Sequence, residues 1–134
     1  MMERRDVAGT RLGALESELL ELLWAAGQPL GATELARRLP GPPRAYNTVV
    51  TVLTRLVGKG LVERDGDGRR FTYRPAGDRD ELTARAIEKL LAAASDRRAV
   101  LARLVTGAQD PGLRAELAAL LRDSDKGQGG ESQQ

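Results

Sequence analysis

The sequence predicts a mainly α-helical protein of 134 residues in which one β-hairpin interrupts a series of helices. Three observations carry that expectation. Apolar residues recur at three- and four-residue spacing in several separate stretches, the stripe a helix buries against a core. Two short segments, 61–64 and 70–74, alternate at period two instead, around the turn Asp65-Gly66-Asp67-Gly68. Strong breaks at Pro40-Gly41-Pro42-Pro43, Pro75-Ala76-Gly77 and Asp110-Pro111 separate these pieces.

Residues 1–11 are polar and aperiodic and are expected to form a mobile arm carrying Arg4, Arg5 and Arg11. A first helix is expected from Ala14 to Ala26. Leu12, Leu15, Leu19, Leu22 and Leu23 make its inner side, Glu16, Glu18 and Glu21 its wet side, and Trp24 a plug for the core. Gly27 stops it. After a short bridging strand at Gln28–Leu30, a second helix opens at Gly31 or Ala32, turns Leu35 and Leu39 inward, and closes on Arg37 and Arg38, where cations suit the helix dipole.

The stretch Arg44–Gly60, RAYNTVVTVLTRLVGKG, is the most informative in the chain. Val49, Val52, Leu53 and Leu56 form its buried stripe. The opposite face carries Asn47, Thr48, Thr51, Thr54, Arg55 and, one turn on, Lys59, with no carboxylate, although Asp and Glu number 19 in the chain. Thr is a poor helix former, and an ordinary wet helix face mixes both signs. Hydroxyls, an amide and cations without acids suit a polyanion, which makes residues 45–59 a candidate recognition helix for the DNA major groove. A short helix, a rigid turn and this helix form the helix-turn-helix order. With the hairpin that follows, the arrangement is a winged helix-turn-helix spanning residues 12–75. The wing carries Arg64, Arg69, Arg70 and Arg74 for backbone phosphates or the minor groove, while Phe71 and Tyr73 share one face as packing residues.

From residue 76 to 122 the sequence predicts three more helices. Asp78 and Glu81 make a capping box for one at about 79–94, Ser95 caps one at about 96–106, and Asp110-Pro111 opens the third. Their stripes are aliphatic and contain no aromatic residue. Fewer than about 60 residues of this kind close a poor core alone, so a second copy of the chain is expected to cover them. The candidate dimerisation residues are Leu82, Ile87, Leu90, Leu91, Leu101, Leu104, Leu113, Leu117, Leu120 and Leu121. Residues 123–134, DSDKGQGGESQQ, have the composition of a disordered tail.

Composition excludes several function classes. Cys and His are both absent, which removes disulfides, thiol catalysis, thiolate sites and the commonest metal ligand and general base. No loop has the alternating acidic spacing of a cation site, and no catalytic set converges. The expectation is therefore no enzyme, no cofactor and no metal. No apolar run approaches the roughly 20 residues of a membrane span, and MMERRDVAGT lacks the apolar core of a signal peptide, so the expected location is the cytoplasm. The formal net charge of +2 hides a division: residues 37–74 hold nine basic and three acidic side chains, while residues 76–134 carry a net charge of −1. The basic excess lies with the unusual helix.

AYNTVVTVLTRLVGKGLVER, the FTYRPAGDRDEL segment and the opening LGALESELLELLWAAGQPLGATELARRL together resemble the penicillinase-repressor (BlaI/MecI-like) winged-helix regulators. The resemblance covers residues 12 to about 82 well and the later helices in pattern. It implies a homodimeric repressor on inverted repeats with TACA and TGTA half-sites, in a family where several members control β-lactamase genes. It also implies a DNA-binding set of Arg44, Tyr46, Asn47, Thr48, Thr51, Arg55, Lys59, Arg69 and Arg70. Within that set Thr48, Thr51 and Arg55 approach bases, and Lys59 and the wing arginines hold phosphates. Val50 stands where some relatives carry a longer polar residue.

Two departures stand out. A copper-responsive branch binds metal through a cysteine-rich tail, which this chain lacks. In other members a membrane sensor of β-lactams triggers proteolysis of the repressor's C-terminal part. Here that part is rich in Ala, Leu and Arg and departs from the more aromatic, Asn-bearing sequence of the cleavage region, which leaves a sensor protease partner without a matching site. The competing expectation, from another class, is a winged-helix protein-interaction module whose basic face meets an acidic partner.

Overall fold

The computed structural model describes residues 6–107 and 109–131. The chain divides into two compact units, residues 1–88 and 89–134.

The first unit begins with a small hairpin, β1 (Asp6–Val7) and β2 (Thr10–Arg11). Ala8 and Gly9 both have positive φ, 52° and 76°, the two-residue turn whose twist suits a tight hairpin. The segment 6–11, expected to be mobile, is therefore ordered in this structure. The reason is Val7, which is buried and, with Leu12, ties the strands to the core; the expected arm of residues 1–5 lies outside the described residues.

Helix α1 (Ala14–Ala26) ends at Gly27, which takes the left-handed C-cap conformation at φ 66°. β3 (Leu30–Gly31) leads into α2 (Ala32–Arg38), and α3 (Tyr46–Gly58) follows the proline-rich turn. The wing is β4 (Val62–Gly66) and β5 (Phe71–Pro75). β5 also pairs with β3, Leu30 opposite Tyr73, so the wing is anchored in a three-stranded antiparallel sheet of order β3-β5-β4. At Gly66 a Cβ would lie 2.0 Å from the Arg70 carbonyl oxygen, with φ at 148°, so the close approach at the base of the wing's turn requires glycine.

The core lies between α1, α2, α3 and the sheet. Leu19, Leu23, Leu35, Val49, Leu53 and Leu56 are wholly inaccessible. Helix α4 (Arg79–Ala93) starts on the expected capping box: the Glu81 N–H donates to Asp78 Oδ1 at 2.8 Å and the Asp78 N–H to Glu81 Oε1 at 3.2 Å. Leu82 in its first turn is 3% exposed and belongs to this core. That corrects its assignment to a dimer face, because the first turn of α4 packs back on the winged unit. Trp24 is half-buried at the margin of the core instead of plugging its centre. Its indole N–H donates to the Gly77 carbonyl at 3.0 Å, and the Arg79 guanidinium lies 4.7 Å from the ring centroid while pairing with Glu21 at 2.7 Å.

The second unit comprises the end of α4 with α5 (Arg97–Thr106) and α6 (Pro111–Glu131). Asp96, one residue past the expected Ser95, caps α5 by accepting from the Ala99 N–H at 3.0 Å. α6 starts at Pro111 as expected but continues beyond Arg122 through most of the segment read as a disordered tail. No proline follows to remove an amide donor, so the hydrogen-bond ladder propagates. Its glycines are each about 1 kcal/mol poorer than alanine in a helix, and residues 123–127 are exposed. Residues 132–134 lie outside the described residues. None of residues 89–107 and 109–127 is buried; Leu90 is 73% exposed, and Leu120 and Leu121 are each 64% exposed.

Candidate nucleic-acid interface

α3 is held by one face and open on the other. Val49, Val52, Leu53 and Leu56 are buried, as the periodicity predicts, and Val50 and Val57 pack at the margin. Asn47, Thr48, Thr51, Thr54 and Arg55 are exposed. From Asn47 to Arg55 this face runs about 12 Å along the helix axis at 1.5 Å per residue. A B-DNA major groove about 12 Å wide admits a helix of this kind.

Two of the hydroxyls on this face are oriented by the helix itself. Thr51 Oγ1 donates to the Asn47 carbonyl and Thr54 Oγ1 to the Val50 carbonyl, both at 2.8 Å. Their protons are thus directed inward, leaving lone pairs and the γ-methyl groups for an incoming surface. Asn47, Thr48, Thr51 and Arg55 also line a shallow depression, with Val52 at its base. The first turn of α3 has no acidic residue and no side-chain cap, so the positive end of the helix is uncompensated there. Arg44 precedes that turn in an exposed position, and Tyr46 within it is 58% exposed.

The structure sorts the basic residues, which composition alone could not do. Arg37 and Arg38 both pair with Glu34, and Arg74 pairs with Glu63 at 3.2 Å. The Arg64 guanidinium stacks over Phe71, 4.3 Å from the ring centroid, and lies by the buried Tyr73 hydroxyl, whose pKa burial pushes up. Among the described residues, Arg44, Arg55, Arg69 and Arg70 enter no ion pair. Asp67 organises the wing tip: its Oδ1 accepts the backbone N–H groups of Arg69 at 3.0 Å and Arg70 at 3.4 Å. Those two amides hold the Asp67 carboxyl below the usual range.

Lys59 has a different partner from the phosphate expected for it. It is the C-cap of α3 and donates to Glu16 Oε2 at 2.7 Å. Glu16, read from sequence as part of the wet side of α1, is only 8% exposed. Its Oε1 accepts the Gly13 N–H at 2.9 Å. Partial burial, the largest single influence, pushes its carboxyl up. The Lys59 hydrogen bond, the Gly13 amide and the charges of Lys59 and Arg55 together outweigh that and hold it below its ordinary value. A carboxylate three residues after a helix-opening glycine was the available signal for the Gly13 bond.

No cluster among the described residues has the acidic, His or Cys composition to hold a metal ion, and none of their helices is long and apolar enough to cross a membrane. Two comparisons with known proteins concern the chain as a whole. Residues 12–123 match the family profile of the penicillinase repressor. The chain is also 39% identical over 118 residues to the transcriptional regulator BlaI of Mycobacterium tuberculosis, in strains CDC 1551 and H37Rv, covering 83% of this chain and 86% of the relative. Among solved structures, RosR of H. salinarum is similar at 24% identity, 71% and 91% coverage and a TM-score of 0.46. A MarR family protein from Bacillus stearothermophilus is similar at 20% identity, 91% and 76% coverage and a TM-score of 0.44. Neither of these two structural likenesses bears on function.

Proposed function

This chain belongs to the penicillinase repressor family, and on that premise we propose that it represses transcription as a homodimer seated on an inverted-repeat operator of the TACA/TGTA type. It is a transcriptional regulator and not an enzyme. The observation that carries the finer reading is the outward face of α3: Asn47, Thr48, Thr51 and Arg55, exposed, free of carboxylates and spaced to lie along one groove. Arg55 is the residue for a guanine edge, which a guanidinium grips with two parallel hydrogen bonds. The threonine methyls and lone pairs suit adenine–thymine steps. Arg44, Arg69 and Arg70 fall to phosphates, and Tyr46 to the groove margin.

Uncovered apolar surface on α4, α5 and α6 supports the homodimer. Ile87, Leu90, Leu101, Leu104, Leu117, Leu120 and Leu121 are exposed, and Leu91 and Leu113 half-covered. A stable dimer buries about 1,200–2,000 Å² in total, and two copies of these stripes offer aliphatic surface for it. Twofold pairing also matches a palindrome. Control of β-lactamase genes is the target the family name suggests.

The test is fluorescence anisotropy with a TACA/TGTA inverted-repeat duplex and a scrambled duplex, each titrated against salt. The expected result is a preference of about a thousandfold for the repeat at two chains per duplex. Arg55→Ala should remove most of that preference, about 1–3 kcal/mol per chain, while melting like the unmodified protein. Equal binding to both duplexes would refute the operator, and DNA-independent capture of an acidic protein with no duplex binding would replace the repressor reading.

A further inference from the structure

Glu16 is the one charged side chain that is buried among the described residues. Both of its carboxylate oxygens are engaged, Oε1 by the backbone of Gly13 and Oε2 by Lys59, 43 positions along the chain. The Glu16 side chain is 10% exposed and that of Lys59 33%. In the other ion pairs among the described residues each partner is more open than either of these. Open pairs rearrange in water and contribute little. A carboxylate this covered, once deprived of Lys59, keeps only the Gly13 amide and the charge of Arg55 to compensate it, so Glu16 holds Lys59 in place.

The consequence falls on α3. Its inner face meets the core through aliphatic side chains, and apolar contact is non-directional. It sets how far α3 stands from α1 and which face turns inward, and leaves the fine adjustment of rotation to directional contacts. A charge-assisted hydrogen bond is directional, and this one joins the first turn of α1 to the C-cap of α3. We propose that Glu16 is a positioning residue for DNA recognition: it fixes the rotation of α3 and keeps the Lys59 ammonium turned onto protein, leaving Arg55 as the cation with which this helix addresses DNA. The proposal rests on the reading of α3 as the DNA-reading helix.

Salt dependence separates this from a merely structural role. A lysine that neutralises a phosphate contributes about 0.9 to the slope of log affinity against log salt. The operator-type and scrambled duplexes would be titrated across salt with the unmodified protein, K59M, E16Q and the double variant, each first checked by thermal melting. K59M is expected to leave the slope unchanged within about 0.3 per chain, because its charge never reached DNA, yet to lower operator preference about threefold or more. E16Q can keep the Gly13 bond but not the charge. It is expected to release the ammonium, steepen the slope by up to about 0.9 per chain and strengthen scrambled-duplex binding at low salt. The double variant is expected to return to the original slope.

A slope flattened by about 0.9 in K59M would make Lys59 a phosphate contact and overturn the proposal. So would an E16Q protein with unaltered slope and preference. Should E16Q fail to fold, K59M and the double variant decide the matter by the same slopes. If the unmodified protein binds neither duplex, the DNA reading itself falls and takes this proposal with it. Normal binding by a protein insensitive to Glu16 would remove this proposal alone.

Discussion

The unit up to Glu88 and the unit from Lys89 are built from similar aliphatic material and use it in opposite ways. Every buried apolar side chain among the described residues lies between Val7 and Leu82. The first unit closes a core because its elements are of different kinds, with helices on two sides and a sheet whose Tyr73 and Val62 fill the space between them. The second has helices alone, with no aromatic residue among them, and leaves Leu90, Leu104 and Leu120 in water. The difference teaches that periodicity identifies which face is apolar but not what covers it.

Paired substitutions test that contrast. Leu53→Ala in the first unit should cost about 2–5 kcal/mol in urea unfolding, as expected for emptying a wholly buried leucine site. Leu104→Ala, at 47% exposure, should change the same transition in dilute protein by less than about 0.5 kcal/mol. Similar losses at both positions would mean that the second unit is already a closed core. Next in size, Leu120→Glu should weaken self-association about tenfold or more in sedimentation, equivalent to about 1.4 kcal/mol, with the unfolding of the first unit preserved. An unaltered sedimentation profile would take Leu120 out of the proposed dimer face.

The smallest expected effect is one of pH and concerns the first unit only. Glu16 is held below its ordinary value of 4.5, so the folded protein takes up this proton less readily than the unfolded chain. Its contribution to stability is full above the ordinary value and is lost as pH falls through the depressed one. Urea midpoints from about pH 6 to about pH 3 should therefore fall more steeply for the unmodified protein than for E16Q. Parallel curves would show that the Lys59 contact is not maintained in solution.

Much of this molecule was legible in its residues. α1 begins and ends where the leucine spacing and Gly27 put it, and the buried stripe of α3 is the one predicted. The capping box of Asp78 and Glu81 forms as the spacing suggests. Legible features were those set within a few residues by helix period, caps and turns. What stayed hidden depends on distant partners. Val7 is one apolar residue among polar ones, and only its tertiary contact makes 6–11 a hairpin. The pairing of β3 with β5, the burial of Leu82 and the capture of Lys59 by Glu16 likewise join positions far apart in the chain. At the candidate interface the acid-free exposed face of α3 was visible in sequence, but which arginines were already engaged was not.

Trp24 has a practical consequence. It is the chain's single tryptophan, fixed between the Gly77 carbonyl and the Arg79 guanidinium where α4 begins. The protein thus carries a built-in optical probe at one known address. Its emission reports whether the start of α4 remains fastened to α1. Loosening of that fastening registers as a change in quenching and colour before any label is attached.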